Sequence, residues 1–378
     1  MVIQRRVSIW LQNRDSAMAR AARQISIDPN EVQIVHVFNR CVRRAFLCGE
    51  DPLTGRNYEH RRQWARDRLE HLAGIFAIDC FTFSIMSNHT HQILRSRPDV
   101  VAAWDDREVA SRWLRITPDR DAEGNALVPT EAKINMITGD AQKLTQIRVR
   151  LSDVSWWMRY FSHYMSVRSN QEDESSGHFW ESRFGSEVLE SEASVLACMI
   201  YVDLNPVRAQ LAATPEESDC TGAKDRIDDL RISLGTTELG QTSISLASSQ
   251  VSSHDWERLG CHSNTNCGWL SPVEIDEGCD PIGADLELSN RRASRKGAVA
   301  ISLTRYLQLL DWAGRRVRGD KRGAIAVGLR SILERIGLAE QELLTSMVSF
   351  GSPSRCLEVY LDAEPPPGHS VWSSPVHA

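Results

Sequence analysis

The 378-residue chain has no apolar run approaching the roughly 18 residues that cross a bilayer. Its first residues, Met1-Val-Ile-Gln-Arg-Arg6, lack the apolar core of a signal peptide. Together these absences lead to the expectation of a soluble, cytoplasmic protein. No Cys-x-x-Cys pair occurs among the nine cysteines. An odd, scattered set argues against a disulfide framework and for reduced thiols. Cys261-His262 with Cys267 and Cys279 fits no standard zinc ribbon or finger. Excess positive charge is missing too: 44 Lys and Arg face 50 Asp and Glu, a net charge of −6, which gives no global signature of a nucleic-acid partner.

Charge is instead segregated. Residues 214–290 hold 15 acidic against 4 basic side chains, and 291–322 hold 10 basic against 2 acidic. The length suggests about two domains. The expected organisation is an N-terminal arm over 1–30, a main domain over 31–212 with an insertion at 98–150, and an acidic, Ser-rich linker over 213–290. A basic helical region over 291–363 and a disordered Pro- and Ser-rich tail over 364–378 complete it.

Within the main domain, Val32–Phe38 is a β-branched run and reads as a strand, left by Arg40, Arg43 and Arg44. Asn57 can cap a helix from Tyr58 to Ala73. A strand pair around residues 83–94 follows and stops at Pro98. The insertion reads as a short helix near Val101–Leu114, a polar stretch to Pro129 and a basic stretch to Arg150. Ser152 can cap the next helix, with Val154, Trp157, Met158, Phe161 and Met165 as its apolar stripe and Tyr160 and Tyr164 at the stripe's edge. A short strand near Val188 precedes a helix from Glu192 that Asn205-Pro206 ends. Further helices are expected at Leu303–Arg316 and Ala324–Ile336.

The chemistry concentrates at Met86-Ser-Asn-His-Thr-His91. Side chains alternate in a strand, so His89 and His91 point to one face and Thr90 to the other. Two imidazoles so placed can share a divalent cation, or can be strand histidines with no ligand. A helical tyrosine such as Tyr164 can likewise be a core-edge residue with its hydroxyl in water.

Met86-Ser-Asn-His-Thr-His resembles the histidine motif of the single-tyrosine HUH transposases, which include the REP-associated tyrosine transposases of bacteria. Met158-Arg159, Asn170, Gly177–Phe184 and Tyr201-Val-Asp-Leu-Asn-Pro-Val-Arg-Ala209 also look like that family's segments, and the likeness covers roughly residues 30–212. It implies an α+β fold, a ferredoxin- or RRM-like antiparallel sheet backed by helices. It implies metal-assisted cleavage and rejoining of single-stranded or hairpin DNA through a covalent phosphotyrosine, in a bacterial cytoplasm and in a homodimer or monomer. Mg2+ or Mn2+ would sit on His89 and His91, with Asn170 or Gln171 as third ligand because Arg168 cannot ligate. Neutral imidazole is required, so activity should fall at acid pH. Tyr164 is the expected nucleophile, with Tyr160 as the alternative. Arg43, Arg44, Arg183 and Arg208 are expected at the DNA; Trp180 is a base-stacking or buried residue, and Asn205 is scaffold. The alternative is a non-catalytic nucleic-acid-binding or domesticated repeat-processing protein of the same fold.

Overall fold

The computed structural model describes residues 27–42, 46–52, 54–240, 267–275, 291–317 and 321–337. Four strands, β1 (Ile34–Arg40), β2 (Ile78–Ile85), β3 (His89–Ser96) and β4 (Gly185–Val188), form an antiparallel sheet in the order β2-β3-β1-β4. The expected α+β class is borne out. The tight β2–β3 connection closes with Met86 N–H donating to the His89 carbonyl at 2.9 Å. Its Asn88 carbonyl accepts from Cys41 N–H at 2.9 Å, so the chain leaving β1 pins the histidine turn.

One face of the sheet is covered by α1 (Arg61–Ala73) and a long helix over Val154–Glu172. Between β3 and that long helix, the expected insertion is largely helical: α2 (Pro98–Ala103), α3 (Asp106–Arg115), α4 (Glu131–Thr138) and α5 (Ala141–Ser152), with the long helix then α6. Asp105 interrupts the single helix expected from Val101 to Leu114. Its carboxylate accepts from Glu108 N–H at 2.7 Å and starts α3 afresh. Asp153, rather than Ser152, caps α6 by accepting from Ser155 N–H at 2.6 Å. Asn57 caps nothing helical; it takes Glu59 N–H at 2.8 Å, and α1 begins at Arg61. Asn39 of β1 donates to Ser162 Oγ at 3.1 Å, and Trp157 donates to Gln92 of β3 at 2.8 Å. These bonds fix which side of the sheet α6 occupies.

The other face carries a second apolar core. It is built by α7 (Glu192–Asp203), the single turn α8 (Asn205–Arg208), α9 (Gly222–Gly240), α10 (Leu303–Arg315) and α11 (Ile332–Arg335). Pro206 ends α7, as expected, and also opens α8, where the missing N–H is not needed. Of the expected linker over 213–290 only 213–240 and 267–275 are described, and these pack into the cores: Ala223 and Ile227 of α9 and Cys267, Trp269 and Leu270 are all buried. Acidic composition misled because Asp225 and Asp229 are themselves buried against partners, Arg66 and the Cys267 N–H. The helix expected at Ala324–Ile336 shrinks to α11, because the Arg315 guanidinium takes the carbonyls of Ala326, Val327, Leu329 and Arg330. The expected arm over 1–30 falls outside the described residues except for 27–30, and the tail lies wholly outside them.

Asp203, fully buried at the end of α7, joins three elements. One carboxylate oxygen accepts from Thr82 of β2 at 2.6 Å and from Ala223 N–H of α9 at 3.2 Å; the other accepts from the Tyr306 hydroxyl of α10. Burial raises its pKa, against the lowering effect of the Thr82 and Tyr306 bonds. Asp203→Ala leaves these donors without an acceptor and should cost about 3 kcal/mol or more in urea unfolding. Because the folded pKa is raised, the group's contribution is complete below the ordinary Asp range and is lost as pH rises through the folded value. Asp203→Asn should therefore remove that slope from the stability–pH curve.

Candidate active site

Antiparallel register decides which side chains meet. His89 and His91 of β3 stand opposite Arg40 and Phe38 of β1, and His36 of β1 stands opposite Ile93. Directly opposed residues share a face, so His36, His89 and His91 lie together on the side away from α6. His36 and His91 are buried, with His36 Nε2 3.0 Å from His91 Nδ1 and the rings stacked at 5.1 Å. The His89 ring is edge-on to His91 at 5.0 Å, and its Nδ1 is 2.7 Å from Asn88 Oδ1. Glu187 of β4, opposite His36 in register, adds a half-buried carboxylate whose pKa is raised by burial.

Helix α7 completes the cluster. Its Tyr201 ring lies edge-on to His91 at 5.7 Å and to His36 at 6.3 Å. The ring is partly exposed, and Lys321 Nζ lies 6.0 Å from its centroid. A partly exposed phenol thus lies between two buried strand imidazoles and a lysine. Two residues further on, Asp203 locks α7 to the sheet, so the position of Tyr201 is set by a buried anchor.

The expected tyrosines are elsewhere. Tyr164 and Tyr160 belong to α6, which covers the opposite face through Asn39 and Gln92. Tyr164 accepts from Arg168 at 2.5 Å, and Tyr160 packs with Phe76, Trp113 and Trp156. Nor does either expected third ligand reach the histidines: Asn170 donates to the Gly177 carbonyl at 3.1 Å, and Gln171 is exposed one residue on. Arg208 is engaged within the protein. Its guanidinium donates to the carbonyls of Ala313, Arg316 and Gly323 at 2.7, 2.7 and 3.1 Å, closing the end of α10. Asn205 is buried, as a scaffold residue would be. Trp180 is half-buried, donates to the Ser162 carbonyl at 2.8 Å and packs on Phe161 and Phe179. Arg183 is exposed just before β4. Arg43 and Arg44 lie outside the described residues.

Sequence reasoning missed His36 and Tyr201. His36 sits in a β-branched run in phase with Phe38, but the pairing partner that gives it meaning is 55 residues away. Tyr201 stood within the quoted Tyr201–Ala209 segment, and only the packing of α7 shows which face it serves.

Among the described residues, no three His, Cys, Asp or Glu side chains form a group able to hold a metal ion. Were a cation to sit on His89 and His91, the His91 ligand atom would be Nε2, because Nδ1 faces His36. No protein-family model, curated protein or solved structure matches the chain.

Gly185 of β4 is open for a reason: a Cβ there would fall 2.2 Å from Cζ of Phe38, whose ring packs 6.1 Å from His91. Gly185→Val should push Phe38 towards the histidines and perturb the His91 imidazole resonances in NMR spectra. Arg208→Ala should lower Tm by several degrees, since it frees the end of α10. A thermal melt followed by circular dichroism checks this, and an unchanged Tm would show that these carbonyl bonds do not hold the end of α10.

Proposed function

We propose that this chain cuts and rejoins single-stranded or hairpin DNA through a covalent phosphotyrosine on Tyr201, in the manner of the single-tyrosine HUH transposases it resembles. The observation that carries this reading is the Tyr201 ring 5.7 Å from His91, on the face that also holds His89. The strand order β2-β3-β1-β4, with α1 and α6 together on one face, supports a ferredoxin- or RRM-like sheet. In that frame the nucleophile moves from Tyr164 and Tyr160 to Tyr201.

The Tyr201 hydroxyl gives up its proton and its oxygen attacks the scissile phosphorus. The P–O3′ bond breaks, and the departing oxygen takes a proton to become a 3′ hydroxyl. The phosphodiester's bond energy is kept in the phosphotyrosine, so a later 3′ hydroxyl can reverse the step and rejoin the strand. A divalent cation, Mg2+ or Mn2+, seated on His89 and His91 would polarise the phosphate and offset the charge developing on its oxygens. Imidazole donors fit Mn2+ better than Mg2+, which takes oxygen ligands. His36 holds the His91 ring through Nδ1, and Lys321 adds positive charge beside the phenol. These groups come from one chain, so a homodimer is compatible with the site but not needed to assemble it.

That no third His, Cys, Asp or Glu joins His89 and His91 among the described residues favours a second reading, in which the same face binds nucleic acid without cutting it or serves a domesticated repeat-processing role. One assay separates them: single-stranded hairpins from the flanks of the protein's own gene, with Mn2+ or Mg2+, scored for a denaturation-resistant adduct. Tyr201→Phe and His91→Ala should reduce adduct at least 100-fold, while Tyr164→Phe and Tyr160→Phe keep it. An adduct lost in Tyr164→Phe and kept in Tyr201→Phe would refute the assignment. Tight binding with no adduct under either metal would favour the second reading.

A further inference from the structure

The tyrosines that do not face the histidines belong to a different feature. Trp156, Tyr160, Tyr164 and Arg168 recur every fourth residue and form one ridge of α6, spanning about 18 Å at about 1.5 Å rise per residue. All three rings are only partly buried. An arginine lies against nearly every ring of the ridge and its flanks. Arg168 stacks 3.8 Å over Trp64, Arg68 lies 5.2 Å over Tyr164, and Arg150 and Arg159 lie 4.5 and 4.7 Å over Trp156. Trp113 closes the row, 5.7 Å from Trp156 and 6.1 Å from Tyr160.

Charge here is unbalanced. Residues 141–171 hold Lys143, Arg148, Arg150, Arg159 and Arg168 against Asp153 alone. Of the arginines over the rings, Arg68, Arg150, Arg159 and Arg168 make no ion pair within 4.0 Å among the described residues, although the chain as a whole is acidic. An apolar core edge explains the rings but not four unneutralised guanidiniums laid over them. Burial lowers the Arg68 pKa to about 10, which still leaves it charged at neutral pH.

We propose that this α6 ridge is a binding track for single-stranded DNA, on the side of the sheet away from the histidines. The exposed edges of partly buried rings and the outer planes of stacked guanidiniums accept unpaired bases, and the same arginines meet the phosphates. A duplex hides its base faces and gains only the charge. The choice of DNA over RNA rests on the function proposed above, whose hairpin substrate carries single-stranded flanks; the stacking surface itself does not.

The test is fluorescence anisotropy of labelled oligothymidine with the full chain, across a salt series and without divalent metal. The double variant Arg150→Gln/Arg159→Gln should bind at least tenfold more weakly. Its log–log salt slope should fall by about 1.4, at about 0.7 per phosphate contact on a single strand. Oligothymidine should quench tryptophan fluorescence, and Trp156→Leu should reduce that quenching while circular dichroism stays unchanged. The assay reads equilibrium binding without metal, so the track is scored even if no adduct ever forms. Unchanged affinity and slope in the arginine double variant would overturn the proposal. Tighter binding of oligouridine than of oligothymidine would overturn its assignment to DNA.

Discussion

The buried Asp203 carboxylate holds the second half of the molecule to the sheet. It receives a hydroxyl from β2, a backbone N–H from α9 and a hydroxyl from α10, with no ion-pair partner among the described residues. Unmade, these bonds would leave buried polar groups on several elements at once, so their formation selects one seating of α7 on the sheet. Tyr201 stands two residues before this anchor. Its approach to His91 and His36 is therefore a property of the packed second core rather than of a loose helix.

The sheet makes the complementary selection. Placing β1 between β3 and β4 sets Phe38 against His91 and Gly185, and His36 against Glu187. A shift of one residue in the β1–β3 pairing would send His36 to the α1–α6 side and break its 3.0 Å contact with His91. The bonds of Asn39 and Gln92 to α6 oppose such a slip from the other face. One face is thereby given to the imidazoles and Tyr201, the other to the aromatic and arginine ridge of α6.

Much of this was legible in the sequence where the signal is local. The β-branched runs, the His89/His91 alternation, the α6 stripe and the proline stop after α7 were readable because each depends on neighbours a few residues apart. Tyr164 and Tyr160 were the expected tyrosines, and their place opposite the histidines was not legible, because an amphipathic stripe shows that a helix has a buried side but not which face of the sheet it covers. The structural role of Arg208 was not legible, because the carbonyls it closes lie 105 to 115 residues away. The acidic 213–290 segment read as solvated because composition cannot reveal that Asp225 meets Arg66 of α1, a pair 159 residues apart.

The most direct test of the account is the site of covalent attachment. Trypsin places Tyr160 and Tyr164 together in the peptide 160–168 and Tyr201 in the separate peptide 184–208. After reaction with hairpin DNA and nuclease trimming, mass spectrometry should find the nucleotide-bearing phosphotyrosine in 184–208. Modification of 160–168 instead would contradict the account, since it would require the α6 face, not the histidine face, to carry the chemistry.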